Sequence, residues 1–99
     1  MTLEQLRRQI DRIDARLVRL LNQRAATALK IGVEKRRCGA PLLDPERERQ
    51  VLALIRESGA GPLAPEQLEA IYTVIMNKCT QIQAQTAFGS ARARKEKSA

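Results

Sequence analysis

Apolar residues open the chain at Leu3, Leu6, Ile10, Ile13, Leu17 and Leu20, in steps of 3, 4, 3, 4 and 3. That is the seam of a heptad, written on an α-helix. The same steps continue through Arg24, Thr27, Ile31 and Glu34, and neither Pro nor Gly interrupts before Gly32. One helix is therefore predicted from about Leu3 to about Arg36, about 50 Å long at 1.5 Å per residue. Cys38-Gly39-Ala40-Pro41 closes it. Asp44-Pro45-Glu46 starts a second helix, with Asp44 as N-cap and Pro45 at the first helical position. Glu48, Val51, Leu52 and Ile55 share its inner face, and it stops near Ser58-Gly59. Pro65 and Glu66 open a third helix to about Phe88, with Leu68, Ile71, Tyr72, Ile75, Met76, Cys79 and Ile82 facing inward. The fold class is all-α: three helices, long, short and medium. Residues 1–88 form one helical domain, and 89–99 is a basic, aperiodic, disordered tail.

The long helix needs a partner along its whole seam, and the other two are too short to supply it. Composition agrees. Of 99 residues 43% are apolar, but one Tyr and one Phe are the only aromatics. Such a chain builds a thin core alone, so a homodimer is expected.

Charge and chemistry narrow the function. With 18 Lys+Arg against 11 Asp+Glu the net charge is +7, which points to anionic partners. The tail residues Arg92, Arg94, Lys95 and Lys97 against Glu96 account for +3 of it. The absence of histidine removes His-dependent catalysis and His-based metal sites. Cys38 and Cys79 form no metal or redox motif. The charged N-terminus and the lack of an apolar run of about 18 residues predict a soluble, cytoplasmic protein without membrane association.

Several polar residues fall where the apolar pattern points inward. Arg24 sits in the heptad seam. Lys35, eleven residues on, projects to nearly the same side, about 16 Å along the axis. Arg47 and Glu48 accompany Val51, and Cys79 and Gln83 continue the stripe of the third helix. Converging, they would line a pocket with cations, a carboxylate and an amide. Each has a plainer explanation alone: Arg24 can pair with a core carboxylate, Lys35 suits a helix C-terminus, and Asp44 is a cap. Arg47 and Glu48 can form a surface pair, Cys79 can be a small hydrophobe, and Gln83 an edge residue. The constellation carries the signal. Arg7 lies seventeen residues before Arg24, about 25 Å away on the same helix. It can approach an Arg24 only on an antiparallel partner.

In order and spacing, Leu6-Arg7-Arg8-Gln9-Ile10-Asp11-Arg12-Ile13-Asp14, Leu20-Leu21-Asn22-Gln23-Arg24, Ile31-Gly32-Val33-Glu34-Lys35, Asp44-Pro45-Glu46-Arg47-Glu48, Gly61-Pro62-Leu63-Ala64-Pro65 and Ile75-Met76-Asn77-Lys78-Cys79 with Gln83 resemble the all-helical chorismate mutases. These include the domain fused to prephenate dehydratase in some bacteria. The resemblance covers Leu3 to about Phe88. It implies an intertwined homodimer with two sites and no cofactor or metal, rearranging chorismate to prephenate in phenylalanine and tyrosine biosynthesis. By position it assigns Arg24, Lys35, Asp44, Arg47, Glu48, Cys79 and Gln83 to one chain's part of the site and Arg7 to the other's. Arg7 and Arg24 would hold the two carboxylates with Arg47 assisting, Lys35 and Gln83 would donate to the ether oxygen, and Glu48 would accept from the ring hydroxyl. The family often carries serine where Cys79 stands.

Two other functions are weighed. An isochorismate-pyruvate lyase shares the scaffold but need not keep acidic groups reading the ring hydroxyl, as Asp44 and Glu48 can. A basic helical dimer binding nucleic acid would use the stripe Arg8, Arg12, Arg16 and Arg19. Glu4, Asp11 and Glu34 dilute that stripe and no recognition motif accompanies it, so nucleic acid is not the expected partner.

Overall fold

A computed structural model describes the backbone of residues 1–98 and the side chains of residues 1–86. Three helices follow in order: α1 (Leu3–Cys38), α2 (Pro45–Ser58) and α3 (Pro65–Ser98). The third helix, expected to end near Phe88, continues to Ser98 and takes in most of the stretch expected as a tail over 89–99.

Local chemistry sets each boundary. Thr2 and Gln5 form a reciprocal capping box at the start of α1: Gln5 N–H donates to Thr2 Oγ1 at 3.1 Å, and Thr2 N–H donates to Gln5 Oε1 at 2.8 Å. At the other end Gly39 takes φ +75°, the left-handed conformation that favours glycine, and Ala40 N–H donates to the Lys35 carbonyl at 2.9 Å. Asp44 caps α2 as expected, its Oδ1 accepting from Arg47 N–H at 3.1 Å. Arg56 near the end of α2 reaches Glu69 at 2.9 Å and Glu66 at 3.5 Å on α3, tying the hairpin.

α3 packs on both α1 and α2. On α2 it half-buries Glu48, Val51, Leu52 and Ile55, the four positions of the predicted inner face. On α1 the covered face differs from the continued seam. Arg24, Ala25, Ala28, Leu29, Gly32 and Lys35 are buried or half-buried, while Thr27, Ile31 and Glu34 are exposed. A straight α-helix drifts from a strict seven-residue repeat. In addition, α3 comes close only where α1 offers small side chains. Ala28 and Gly32 form that opening: a Cβ added at Gly32 would lie 3.2 Å from Gln83 Cγ. Ile71, expected to face inward, is 47% exposed.

The single chain is open. Its radius of gyration is 17.2 Å, against about 13 Å for a compact chain of this length. Every residue from 1 to 23 is exposed, the whole apolar seam included. No large side chain is fully buried among the described residues. None of these helices is long and apolar enough to cross a membrane.

Candidate active site

The second half of α1, the 39–44 loop, α2 and α3 line a half-open cavity of about 270 Å³. Seven of the eight residues singled out in the sequence line it: Arg24, Lys35, Asp44, Arg47, Glu48, Cys79 and Gln83. Arg7 does not. It stands exposed in the second turn of α1, about 25 Å up the helix axis from Arg24.

Three cations face this space: Arg24 and Lys35 from α1, and Arg47 from α2. Among the described residues none has a carboxylate within 4 Å; the ion pairs all lie elsewhere. Arg24 is thus not half of a core ion pair, and Arg47 and Glu48 do not form the surface pair that would explain them away. Neutral groups hold the cations instead. Arg24 Nη1 donates to Cys79 Sγ at 3.3 Å. Lys35 Nζ donates to the Leu42 carbonyl at 2.8 Å, tying the 39–44 loop to α1 beside the cavity. Arg47 Nη1 reaches Gln50 Oε1 at 3.4 Å. An anion entering here would meet positive charge that the protein leaves uncompensated, in surroundings of lower dielectric than water.

Among the described residues Gln83 is the most buried polar one, 6% exposed. Its Nε2 donates to the Ala28 carbonyl at 2.6 Å. An amide nitrogen carries two hydrogens, so one anchors the side chain and the second remains for a ligand. Gly32 makes room for this arrangement. Glu48 is half-buried at the cavity edge without a cationic partner, while Asp44 combines its capping bond with a place on the wall. Cys79, expected to touch a ligand, is engaged by Arg24.

Sequence reasoning missed several contributors. The Leu42 carbonyl is invisible to it, because any residue supplies a carbonyl. Thr80 lines the cavity while its hydroxyl bonds the Met76 carbonyl at 3.1 Å, a contact that depends on rotamer. Ala28 and Gly32, four residues apart on one helix face, did leave a signal: small residues at helical spacing mark close approach.

The sequence profile described as chorismate mutase type II matches residues 6–84. A bifunctional chorismate mutase/prephenate dehydratase of Aquifex aeolicus is 40% identical over 85 residues, covering 82% of this chain and 24% of the relative. A chorismate mutase of Methanocaldococcus jannaschii is 34% identical over 55 residues, 56% of either chain. The chain thus spans about a quarter of the length of the bifunctional relative. Among solved structures, form II of the Thermus thermophilus chorismate mutase superposes with a TM-score of 0.82 at 26% identity, covering 84% of this chain and 94% of that one. The matched stretch takes in most of α1, all of α2, the cavity-lining part of α3 and every residue that lines the cavity, and on that footing the chain belongs to the chorismate mutase type II family.

Proposed function

We propose that this chain rearranges chorismate to prephenate. One observation carries the reading: three cations without acidic partners and one half-buried carboxylate surround a single cavity. The reaction is a Claisen rearrangement, in which one carbon–oxygen bond breaks while one carbon–carbon bond forms. It needs neither proton transfer nor a nucleophile, so a chain without histidine is equipped for it. Two tasks remain: holding a dianion in a compact chair, and stabilising negative charge that grows on the ether oxygen. Arg24 and Arg47 suit the carboxylates through their forked donors. Lys35 Nζ and the second Nε2 hydrogen of Gln83 suit the ether oxygen. Glu48 accepts from the ring hydroxyl, with the backbone near Asp44.

The site is shared. The uncovered seam from Leu3 to Leu20 is the length of apolar surface that a second copy would bury, and an antiparallel partner would bring its own Arg7 to this cavity. Arg7 then completes the carboxylate contacts of the neighbouring chain. Two free cysteines, one against Arg24, fit a reducing, cytoplasmic compartment. The acidic groups at the cavity favour the mutase over an isochorismate-pyruvate lyase, since they can read where the ring hydroxyl stands. Spectroscopic loss of chorismate with prephenate identified as product tests the reading. Pyruvate released from isochorismate, with no prephenate from chorismate, would replace it with the lyase.

A further inference from the structure

Arg24 poses a positioning problem. Its side chain is long, and fixing it costs rotamer freedom. Proteins usually fix such a group with a carboxylate, but an acidic partner here would neutralise the charge and compete with an anionic ligand. The structure uses neutral groups. Cys79 Sγ takes Nη1 from one side at 3.3 Å. The guanidinium carbon also lies 5.9 Å from the centroid of the Tyr72 ring. A ring face attracts a cation through its quadrupole and carries no net charge.

Two further observations single out Tyr72. The chain holds one Tyr, one Phe and no Trp, and the one aromatic ring among the described side chains lies at this arginine. Tyr72 is also placed for the purpose by helix periodicity: 72, 76, 79 and 83 fall on one face of α3. Ring, thiol and amide therefore line up facing the same stretch of α1. Tyr72 is half-buried and is not among the residues that line the cavity.

We propose that Tyr72 is a positioning residue for Arg24, holding the guanidinium toward the cavity by its ring face while leaving the charge available to the substrate carboxylate. The proposal rests on the function proposed above. It assigns the effect to the ring and not to the hydroxyl, so Tyr72→Phe should retain kcat/KM within about twofold, a change small against the span of a cation–ring contact.

The test varies the electron density of the ring while keeping its shape. Phenylalanine analogues bearing one, three and five ring fluorines are incorporated at position 72 of the full chain, with helical circular dichroism confirming the fold. Progressive fluorination drains the ring face and turns attraction into repulsion. The expected result is a stepwise fall in kcat/KM, reaching about tenfold at five fluorines. KM should carry most of it, because a carboxylate contact made equally in ground and transition states is uniform binding. In an Arg24→Ala background the series should be flat, since the ring acts through the arginine. A flat series in a parent that does convert chorismate overturns the role of Tyr72 and leaves the proposed activity standing. A parent that converts no chorismate overturns the activity, and the role of Tyr72 with it. A fall of equal size in the Arg24→Ala background would also overturn it, by showing that the ring acts through packing.

Discussion

The two halves of α1 carry similar patterns and meet different fates. From Leu3 to Leu20 the seam is uninterrupted, and none of the described residues covers it. From Arg24 to Lys35 the pattern is broken by charge and by small residues, and this half is the one α3 packs against. Apolar regularity therefore marks the half left uncovered, and irregularity marks the half that builds the cavity. Packing α3 onto α1 needs Ala28 and Gly32 for close approach, and the cavity needs Arg24 and Lys35. Neither need is compatible with a strict leucine seam. Under the proposed pairing the first half can keep a regular seam because the seam residues serve association alone, while Arg7, off the seam, reaches the neighbouring cavity.

The largest effect should come from breaking the regular half. Ile13→Asp places a carboxylate in the middle of the seam, and two-fold symmetry would place one on each chain. A buried unpaired charge is strongly destabilising. We expect the variant to run as a monomer in analytical ultracentrifugation and to lose essentially all turnover, although Ile13 is far from the cavity of its own chain. A variant that stays dimeric and active would show that the seam is not the contact surface.

Breaking the irregular half should leave association intact. Arg24→Ala and Lys35→Ala each remove a cation facing the cavity, and each should lower kcat/KM by at least about 100-fold, equivalent to about 2.7 kcal/mol of transition-state binding. Sedimentation should remain that of the parent. Near-parent activity in either variant would remove the assignment of the cavity.

Mixing links the halves. Arg7→Ala and Arg24→Ala homodimers should both be nearly inactive. Unfolded together and refolded as an equal mixture, about half of the dimers should be mixed if pairing is random. Each mixed dimer then has one site with both defects and one with neither, and activity should return to about a quarter of the parent's, given symmetric sites. If Arg7 served its own chain, every site would carry one defect, and confirmed mixed dimers would show no recovery.

Gln83→Glu sharpens the chemistry inside the cavity. Gln83 is buried, and its amide donates to the Ala28 carbonyl. A carboxyl group can replace that bond only when protonated, and burial holds the proton on; Arg24, Lys35 and Arg47 pull the other way. The protonated form can donate to one acceptor, while the anion repels the charge developing on the ether oxygen. Activity should be retained at acid pH and lost as pH rises through the new group's pKa, while the parent profile stays flatter. Identical profiles would show that Gln83 does not face the reacting oxygen.

How far the sequence could be read follows the same division. Asp44-Pro45 and Ser58-Gly59 bound α2 because capping chemistry is local, and its four inner residues follow from period alone. The inward polar residues were visible because they violate a pattern. The exposure of Ile71, the rotation of the packed face of α1 and the grip of Leu42 on Lys35 were not. They depend on how three helices cross, and on a backbone atom that every residue has.

Gly32→Ala tests that boundary with the smallest change. Alanine is the better helix former by about 0.5–1 kcal/mol in a helix interior, and α1 alone would gain from it. Against this, the new Cβ would sit 3.2 Å from Gln83 Cγ and 3.5 Å from its Cβ. That contact is tight, and Gln83 can relieve it only by moving its side chain, which is anchored at 2.6 Å to the Ala28 carbonyl one turn away. The two terms oppose each other in stability, so the denaturation midpoint should change little. They do not oppose each other in catalysis, because any relief displaces the amide proposed to face the ether oxygen. We expect kcat/KM to fall by about 3–10-fold, roughly 0.7–1.4 kcal/mol, with kcat carrying the loss and KM nearly constant, since this contact strengthens only as charge develops. A variant that is clearly stabilised and fully active would show that α3 can recede from α1 at no cost, and that the small residues at 28 and 32 do not set the position of Gln83.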